Sequence, residues 1–384
     1  MLNSQTLKQP THIVVICALS VLLAQPLSGN EALTLADAPG RWTRERANAW
    51  YARQPFLAGA NFIPSTAGNQ IEMWRAETFD PATLDRELGF AQALGFNSMR
   101  VFLHDLLWKH DPDGLLERME RYLAIADKQG IKTLFVFFDS CWDPWPKWGP
   151  QGEPRPHTHN SMWAQSPGVA VLQDPAQQTH LKPFVQGVLK RFANDQRVLA
   201  WDLWNEPDNF DGGVPPRKPE PRNKPELVLP LLKAAFEWAR EVNPSQPLTS
   251  AVWRDSGNLD ALDPTKRVQL SHSDVVSFHC YERPEKFRAC VTSLHTLGRP
   301  LLCTEYMYRP NCNFDPLLGL MREHKVAAMC WGFVKGRTQT IYPVKSWREP
   351  FTAEPALWNN EILHPDGTPY RREETDYIRK IMRR

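Results

Sequence analysis

Charge imbalance is nearly absent from this chain. Its 45 lysines and arginines stand against 43 aspartates and glutamates, leaving a net charge of +2 over 384 residues. Electrostatics therefore offers no general attraction to nucleic acid or to an anionic membrane surface. No apolar run reaches the roughly 20 residues that a membrane-spanning helix needs. No Cys-x-x-Cys occurs, which removes zinc-ribbon and thioredoxin chemistry. No Gly-x-Gly-x-x-Gly turn supports a dinucleotide site, and no Gly-x-Ser-x-Gly elbow supports a serine hydrolase. There is no internal repeat.

What the chain has in excess is 15 tryptophans and 34 prolines. Prolines imply long, stiff loops. Tryptophans imply either a heavily aromatic core or flat faces for stacking, and several stand in loops or at strand ends. The N-terminus carries Lys8 and then an apolar stretch over 13–24, the size of a signal-peptide core. Ser28, Gly29 and Ala32 supply small side chains for cleavage, while Cys17 lies inside the apolar stretch and not in a lipoprotein cleavage pattern. The expectation is a signal peptide over 1–29, one domain over 30–384, and export to the periplasm or the extracellular space. Export permits disulfides. Six cysteines remain (Cys141, Cys280, Cys290, Cys303, Cys312 and Cys330), and sequence does not choose among their pairings. Cys280, Cys303 and Cys330 sit in apolar strand-like runs and read as small buried hydrophobes.

Strand-like and helix-like segments alternate. Strands are expected over 56–62, 98–103, 133–138, 198–204, 248–253, 275–280, 301–304 and 327–333. Helical periodicity falls over 81–94, capped by Asp80 with Pro81 at the first position, over 115–129 before Gly130, and over 181–192 and 227–242. Eight strands with intervening helices predict an α/β fold, a (β/α)8 TIM barrel. A doubly wound sheet is the rival. Three segments read as long loops following strands, at 139–174, 209–224 and 338–361. In a barrel, loops after strands belong to the catalytic face.

Two of these strands end on an acid: Trp204-Asn205-Glu206-Pro207 and Cys303-Thr304-Glu305-Tyr306. Burying an acid beside an amide and two indoles is costly unless it is used. Two carboxyl groups on opposite sides of a sugar are the minimal apparatus for breaking a glycosidic bond. One must keep its proton, through burial or a neighbouring negative charge, and the other must stay ionised beside donors. Arg100, His279 and Tyr281 are candidate partners. Strict alternation cannot turn Asn205 and Glu206 inward together, so a bulge or twist is expected there.

These motifs resemble the glycoside hydrolases of clan A, and among them family 5, the cellulase and mannanase family. The resemblance spans about residues 56–335. It implies a (β/α)8 barrel that cleaves β-linked glycans with retention. Glu206 would be the acid/base, Asn205 its substrate-orienting neighbour and Glu305 the nucleophile. Arg100, the pair His279 and Tyr281, and the sugar-platform Trp331 match further family positions. A histidine that many members carry after the third strand is replaced here by Asp139-Ser140-Cys141-Trp142. That points to Asp139 and Trp142 as substrate contacts, with His104 near the vacant space. Trp142, Trp145, Trp148 and Trp163 in the same loop are candidates for sugar stacking or for plain loop packing.

His157-Thr158-His159 has a metal-like spacing but lies in a proline-rich loop, and Asp111-Pro112-Asp113-Gly114 reads as a turn and not a calcium loop. The expected partner is a β-linked glycan of glucan, mannan or xylan type, met by a monomer without cofactor, metal, nucleic acid or membrane span. A non-catalytic carbohydrate-binding barrel and a transglycosylase on the same scaffold are the alternatives.

Overall fold

The computed structural model describes residues 1, 35–210 and 218–383. The signal segment expected over 1–29 lies, apart from its first residue, outside the described residues. Eight strands follow one another: β1 Ala58–Asn61, β2 Ser98–Phe102, β3 Lys132–Asp139, β4 Val198–Asn205, β5 Leu248–Ala251, β6 Val276–His279, β7 Leu301–Glu305 and β8 Val326–Trp331. Every strand pairing is parallel, in the order β5-β4-β3-β2-β1-β8-β7-β6. The two ends of this order meet through a parallel bridge between Val252 and Phe278, where the His279 N–H donates to the Val252 carbonyl at 2.7 Å. This is the expected (β/α)8 barrel and not an open doubly wound sheet.

Both faces of such a sheet are covered, which is why the strands are buried along almost their whole length. Phe135, Trp201, Phe137 and Leu203 belong to the cluster packed against the surrounding helices, while Leu134, Val136, Ala200 and Met329 belong to a second cluster. Trp42, Trp50 and Leu57 share that second cluster with Val275, Leu302 and Ala327, which lie at strand beginnings. The helix Arg44–Ala52 thus stoppers the N-terminal end of the barrel and leaves the C-terminal end for chemistry.

Two expected strands end two residues early. The run over 248–253 stops at Ala251, because Val252 already leaves to bridge β6. The run over 327–333 stops at Trp331, because Gly332 turns with φ +84°. Helices form where the caps allow. The Asp80 carboxylate accepts from the Thr83 N–H at 3.1 Å and Gly95 ends that helix at φ +86°. Pro112–Lys128 starts three residues before the expected 115, because Asp111 caps it by accepting from Gly114 N–H at 3.2 Å. The Asp111-Pro112-Asp113-Gly114 segment is therefore a helix start.

Candidate active site

Asn205 closes β4 and Glu206 follows it with φ +46°, a left-handed conformation that a side-chain-bearing residue adopts at a cost of about 1–3 kcal/mol. The register of β4 against β5 shifts between Asp202 and Asn205. These two departures turn Asn205 and Glu206 inward together, as simple alternation could not. Glu305 ends β7, and the neighbouring β6–β7 register shifts at His279.

Arg100 joins these elements from beneath. It is fully buried on β2. Its Nη1 donates to Glu305 Oε1 at 3.0 Å and Asn61 Oδ1 at 2.9 Å, and its Nη2 to Asp202 Oδ2 at 2.8 Å and Asn205 Oδ1 at 2.6 Å. Burial alone would weaken the guanidinium's hold on its proton, but Asp202 and Glu305 outweigh it and the pKa is raised. Burial raises Asp202 to about 6 even against that cation.

Glu305 Oε2 accepts from the Tyr281 hydroxyl at 2.8 Å and lies 3.5 Å from His279 Nδ1. The same His279 Nδ1 is 2.6 Å from Glu206 Oε1, and Glu206 Oε2 is 2.6 Å from Asn209 Nδ2 and 3.1 Å from the Cys141 thiol. An oxygen of Glu206 and an oxygen of Glu305 come within 4.8 Å of one another. Burial raises the pKa of both acids. Glu305 reaches about 7, with Glu206 pushing it up while Arg100 and Tyr281 hold it down. Burial lowers His279 to about 3, so its ring is neutral at ordinary pH.

A cavity of about 850 Å³ lies above these groups. Asn205, Glu206, Glu305, Tyr281, Trp331, Trp142 and Trp163 line it. Of the four candidate tryptophans in the loop after β3, Trp142 and Trp163 reach the cavity. Trp145 donates to the Pro219 carbonyl and Trp148 stacks on His110, so both are packing residues of the loop.

Two expectations are corrected. Asp139 is not a wall of the cavity. It is buried at the end of β3, where its carboxylate accepts from Asn205 Nδ2 at 3.0 Å, Trp163 Nε1 at 2.6 Å and the Cys141 N–H at 3.0 Å. An acid already saturated with interior donors has little left for a sugar. His104 does not fill the vacant position either: it caps the helix Asp105–His110, taking the Leu106 N–H on Nδ1. The space beside Glu206 belongs to Cys141.

Asn61, Asp202, Cys141 and Asn209 are site residues that sequence reasoning missed. Asp202 left a signal, since a lone acid within an apolar strand demands a buried cation. Cys141 left none. His157 and His159 do not converge on an ion; their Nδ1 atoms bond the Tyr342 hydroxyl at 2.5 Å and the Tyr342 carbonyl at 2.6 Å. Among the described residues, metal-like spacing occurs only at Glu206, His279 and Glu305. There Arg100 and Tyr281 already occupy both Glu305 oxygens, a poor reception for a cation.

A parallel eight-stranded barrel with two acids at strand ends beneath a wide cavity defines a barrel enzyme of the carbohydrate-active kind. The sequence profile described as Cellulase (glycosyl hydrolase family 5) matches residues 59–333. The chain belongs to glycosyl hydrolase family 5, and it is a glycoside hydrolase. No curated protein sequence matches it. Among solved structures, a GH5_18 protein from Streptomyces cattleya in complex with Manβ1-4GlcNAc is similar with TM-score 0.58 at 16% identity, over 86% of this chain and 81% of that one. An exo-β-1,4-mannosidase from Opitutaceae bacterium strain TAV5 gives 0.57 at 18%, over 85% and 59%. An endo-β-1,4-mannanase from Thermotoga petrophila gives 0.52 at 14%, over 87% and 77%. At these identities the likeness is one of fold.

Proposed function

We propose that the protein is a retaining β-glycosidase in which Glu305 is the nucleophile and Glu206 the acid/base. The observation that carries this reading is the spacing of the two acids, whose nearest oxygens lie within 4.8 Å. Retaining enzymes hold their carboxyl groups about 5–5.5 Å apart, a separation that this approach of the oxygens accommodates. Donors divide the roles. Glu305 faces a permanent cation and a hydroxyl donor, which favour the carboxylate. Glu206 has no cation in hydrogen-bond contact among the described residues and faces a neutral imidazole, so the proton that the pair retains stays there, held against His279 Nδ1.

In the first step a Glu305 oxygen attacks the anomeric carbon while Glu206 gives its proton to the glycosidic oxygen. The C–O bond breaks, the aglycone leaves as an alcohol, and a glycosyl ester remains on Glu305. In the second step the Glu206 carboxylate takes a proton from water. The resulting oxygen attacks the same carbon and frees Glu305. Asn205, aligned by Arg100 and Asp139, orients a substrate hydroxyl, and Trp331 floors the sugar that is attacked. A sugar hydroxyl in place of water would give transglycosylation. The Manβ1-4GlcNAc complex, the exo-β-1,4-mannosidase and the endo-β-1,4-mannanase among the similar structures make β-1,4-mannosides the first substrates to try, with gluco and xylo analogues beside them.

The test is the anomeric configuration of the first product, followed by NMR, with Glu305→Ala alongside. A β-configured first product from the wild type and none from the variant is expected. An α-configured first product sinks the retaining mechanism, and binding of a glycan without turnover favours a binding barrel. The apolar N-terminal stretch supports a second proposal, that the mature protein is exported after cleavage near residue 29; N-terminal sequencing of material recovered outside the cytoplasm tests it.

A further inference from the structure

The loops that follow β3 and β8 are fastened to each other. The Asn160 N–H donates to the Thr338 carbonyl at 2.8 Å, the His159 N–H to Ser346 Oγ at 2.9 Å, and Trp347 Nε1 to the His159 carbonyl at 2.7 Å. Gln339 takes the His157 N–H at 2.8 Å and gives to the Arg155 carbonyl at 2.9 Å. Arg337 reaches Glu153 at 2.8 Å and the Gly152 carbonyl at 2.6 Å. The Trp142 and Trp347 rings stack with centroids 5.8 Å apart. In the barrel order, β2 and β1 lie between β3 and β8. A bridge between these two loops therefore runs across the mouth above β1 and β2.

Below the bridge, the way past Trp331 toward β1 is also shut. Trp163 and Trp331 meet edge to face at 5.4 Å, and the space lined by Asn61, Phe62 and Phe333 beyond them is only about 20 Å³, little more than one water needs. The opposite side of the cavity is lined by other loops. Trp253 and Arg254 after β5, Tyr281 after β6 and Tyr308 after β7 line the cavity there, and the helix Pro284–His295 begins soon after β6 ends at His279.

On the roles proposed above, on which this inference rests, the leaving group must sit where Glu206 can protonate it. Asn209, Trp253 and Arg254 line that flank. The sugar attacked by Glu305 lies on the Trp331 side, which is walled. We infer that the site is a pocket closed beyond the attacked sugar, and that the enzyme is exo-acting: it removes single sugars from the non-reducing end, and the wall between Trp142, His159 and Trp347 sets this specificity. A chain continuing past the attacked residue at its non-reducing end meets that wall.

The experiment uses the full mature protein and β-1,4-linked manno-, gluco- and xylo-oligosaccharides of three to six units, tagged at the reducing end, with a parallel set blocked at the non-reducing end. Monosaccharide and the tagged product one unit shorter should appear together from the first time points, and the blocked set should resist. A variant with residues 343–349 replaced by Gly-Ser-Gly should gain internal cleavage and cut the blocked set. Internal fragments from the wild type, or cleavage of the blocked set, overturn the inference while leaving the hydrolase reading intact. Absence of cleavage from every substrate, aryl β-glycosides included, sinks the hydrolase reading and this inference with it. The wild-type product pattern decides the matter even if the shortened variant does not fold.

Discussion

Arg100 and Glu305 stand on strands at separate positions around the barrel, and a guanidinium nitrogen of the first lies 3.0 Å from a carboxylate oxygen of the second, with Arg100 wholly buried. The same guanidinium holds Asp202 and Asn205. One side chain thus sets the charge of the proposed nucleophile and the position of the amide beside the proposed acid.

Arg100→Met should remove both effects at once. It strands Asp202 without a cation, and breaking a buried pair costs about 3–5 kcal/mol. It also removes a positive charge that holds Glu305 down, so any residual activity should have its acid limb moved to higher pH. Arg100→Met with Asp202→Asn removes both charges and should regain most of the melting temperature but little activity. Recovery of full activity in the double variant would rule out the proposed electrostatic role.

Activity should follow a bell in pH. The working form has Glu305 ionised and Glu206 protonated, and it exists between the two macroscopic ionisations of the pair. Burial raises both acids, so the optimum should lie above the range of ordinary carboxylates. Glu206→Gln should remove the alkaline limb. The acid limb should stay nearly where it is, because Glu206 is already neutral when Glu305 ionises. With unactivated substrates kcat/KM should fall by about 10²–10⁴-fold; aryl glycosides with good leaving groups should lose less. An unshifted pH profile in the variant would contradict the assignment.

Glu361 provides a test of stability away from the chemistry. Burial raises its pKa to about 7; one oxygen faces Thr338 and Thr340, while the other has no partner among the described residues. Because its folded value lies above its unfolded one, the folded state binds more protons between about pH 4.5 and 7. Its contribution to stability therefore falls as pH rises through that window. Glu361→Gln should flatten this fall and add up to about 3 kcal/mol near pH 7.5. Equal pH slopes for variant and wild type, by urea unfolding, would refute it.

Cys141 lies in the cavity wall 3.1 Å from Glu206. Burial first, then the charges of Asp139, Glu206 and Glu305, raises its thiol well above the ordinary value. Iodoacetamide at pH 8 should therefore leave activity intact over hours, since the thiolate is the reactive form. Rapid inactivation that Cys141→Ala abolishes would show the opposite. The variant itself should keep activity, with the alkaline limb moved slightly upward through loss of a donor to Glu206.

The elements whose signals are local were legible. Asp80 with Pro81 announces its helix, and Asn205-Glu206-Pro207 announces a strand end, because caps, prolines and apolar runs act over a few residues. Asp139 shows where this stops. An acid at a strand end looked like a substrate contact, but its fate depended on Trp163 and Asn205, one further along the loop that follows it and one on the next strand. His104 likewise had a nearer use, as a helix cap, than the space it was expected to fill. Cys141 carries no motif at all.

The sequence by itself determined the barrel, the two strand-end glutamates and the candidate partners Arg100, His279 and Tyr281, because strand periodicity and strand termini are written in consecutive residues; Trp331 followed from the resemblance to family 5. Tertiary structure alone decided that Arg100 reaches four side chains at once, that Asp139 is spent in the interior, and that the loops after β3 and β8 close over one side of the mouth. Those outcomes depend on contacts between residues from 24 to 205 positions apart, formed only when barrel closure brings strand ends and loops together at one rim.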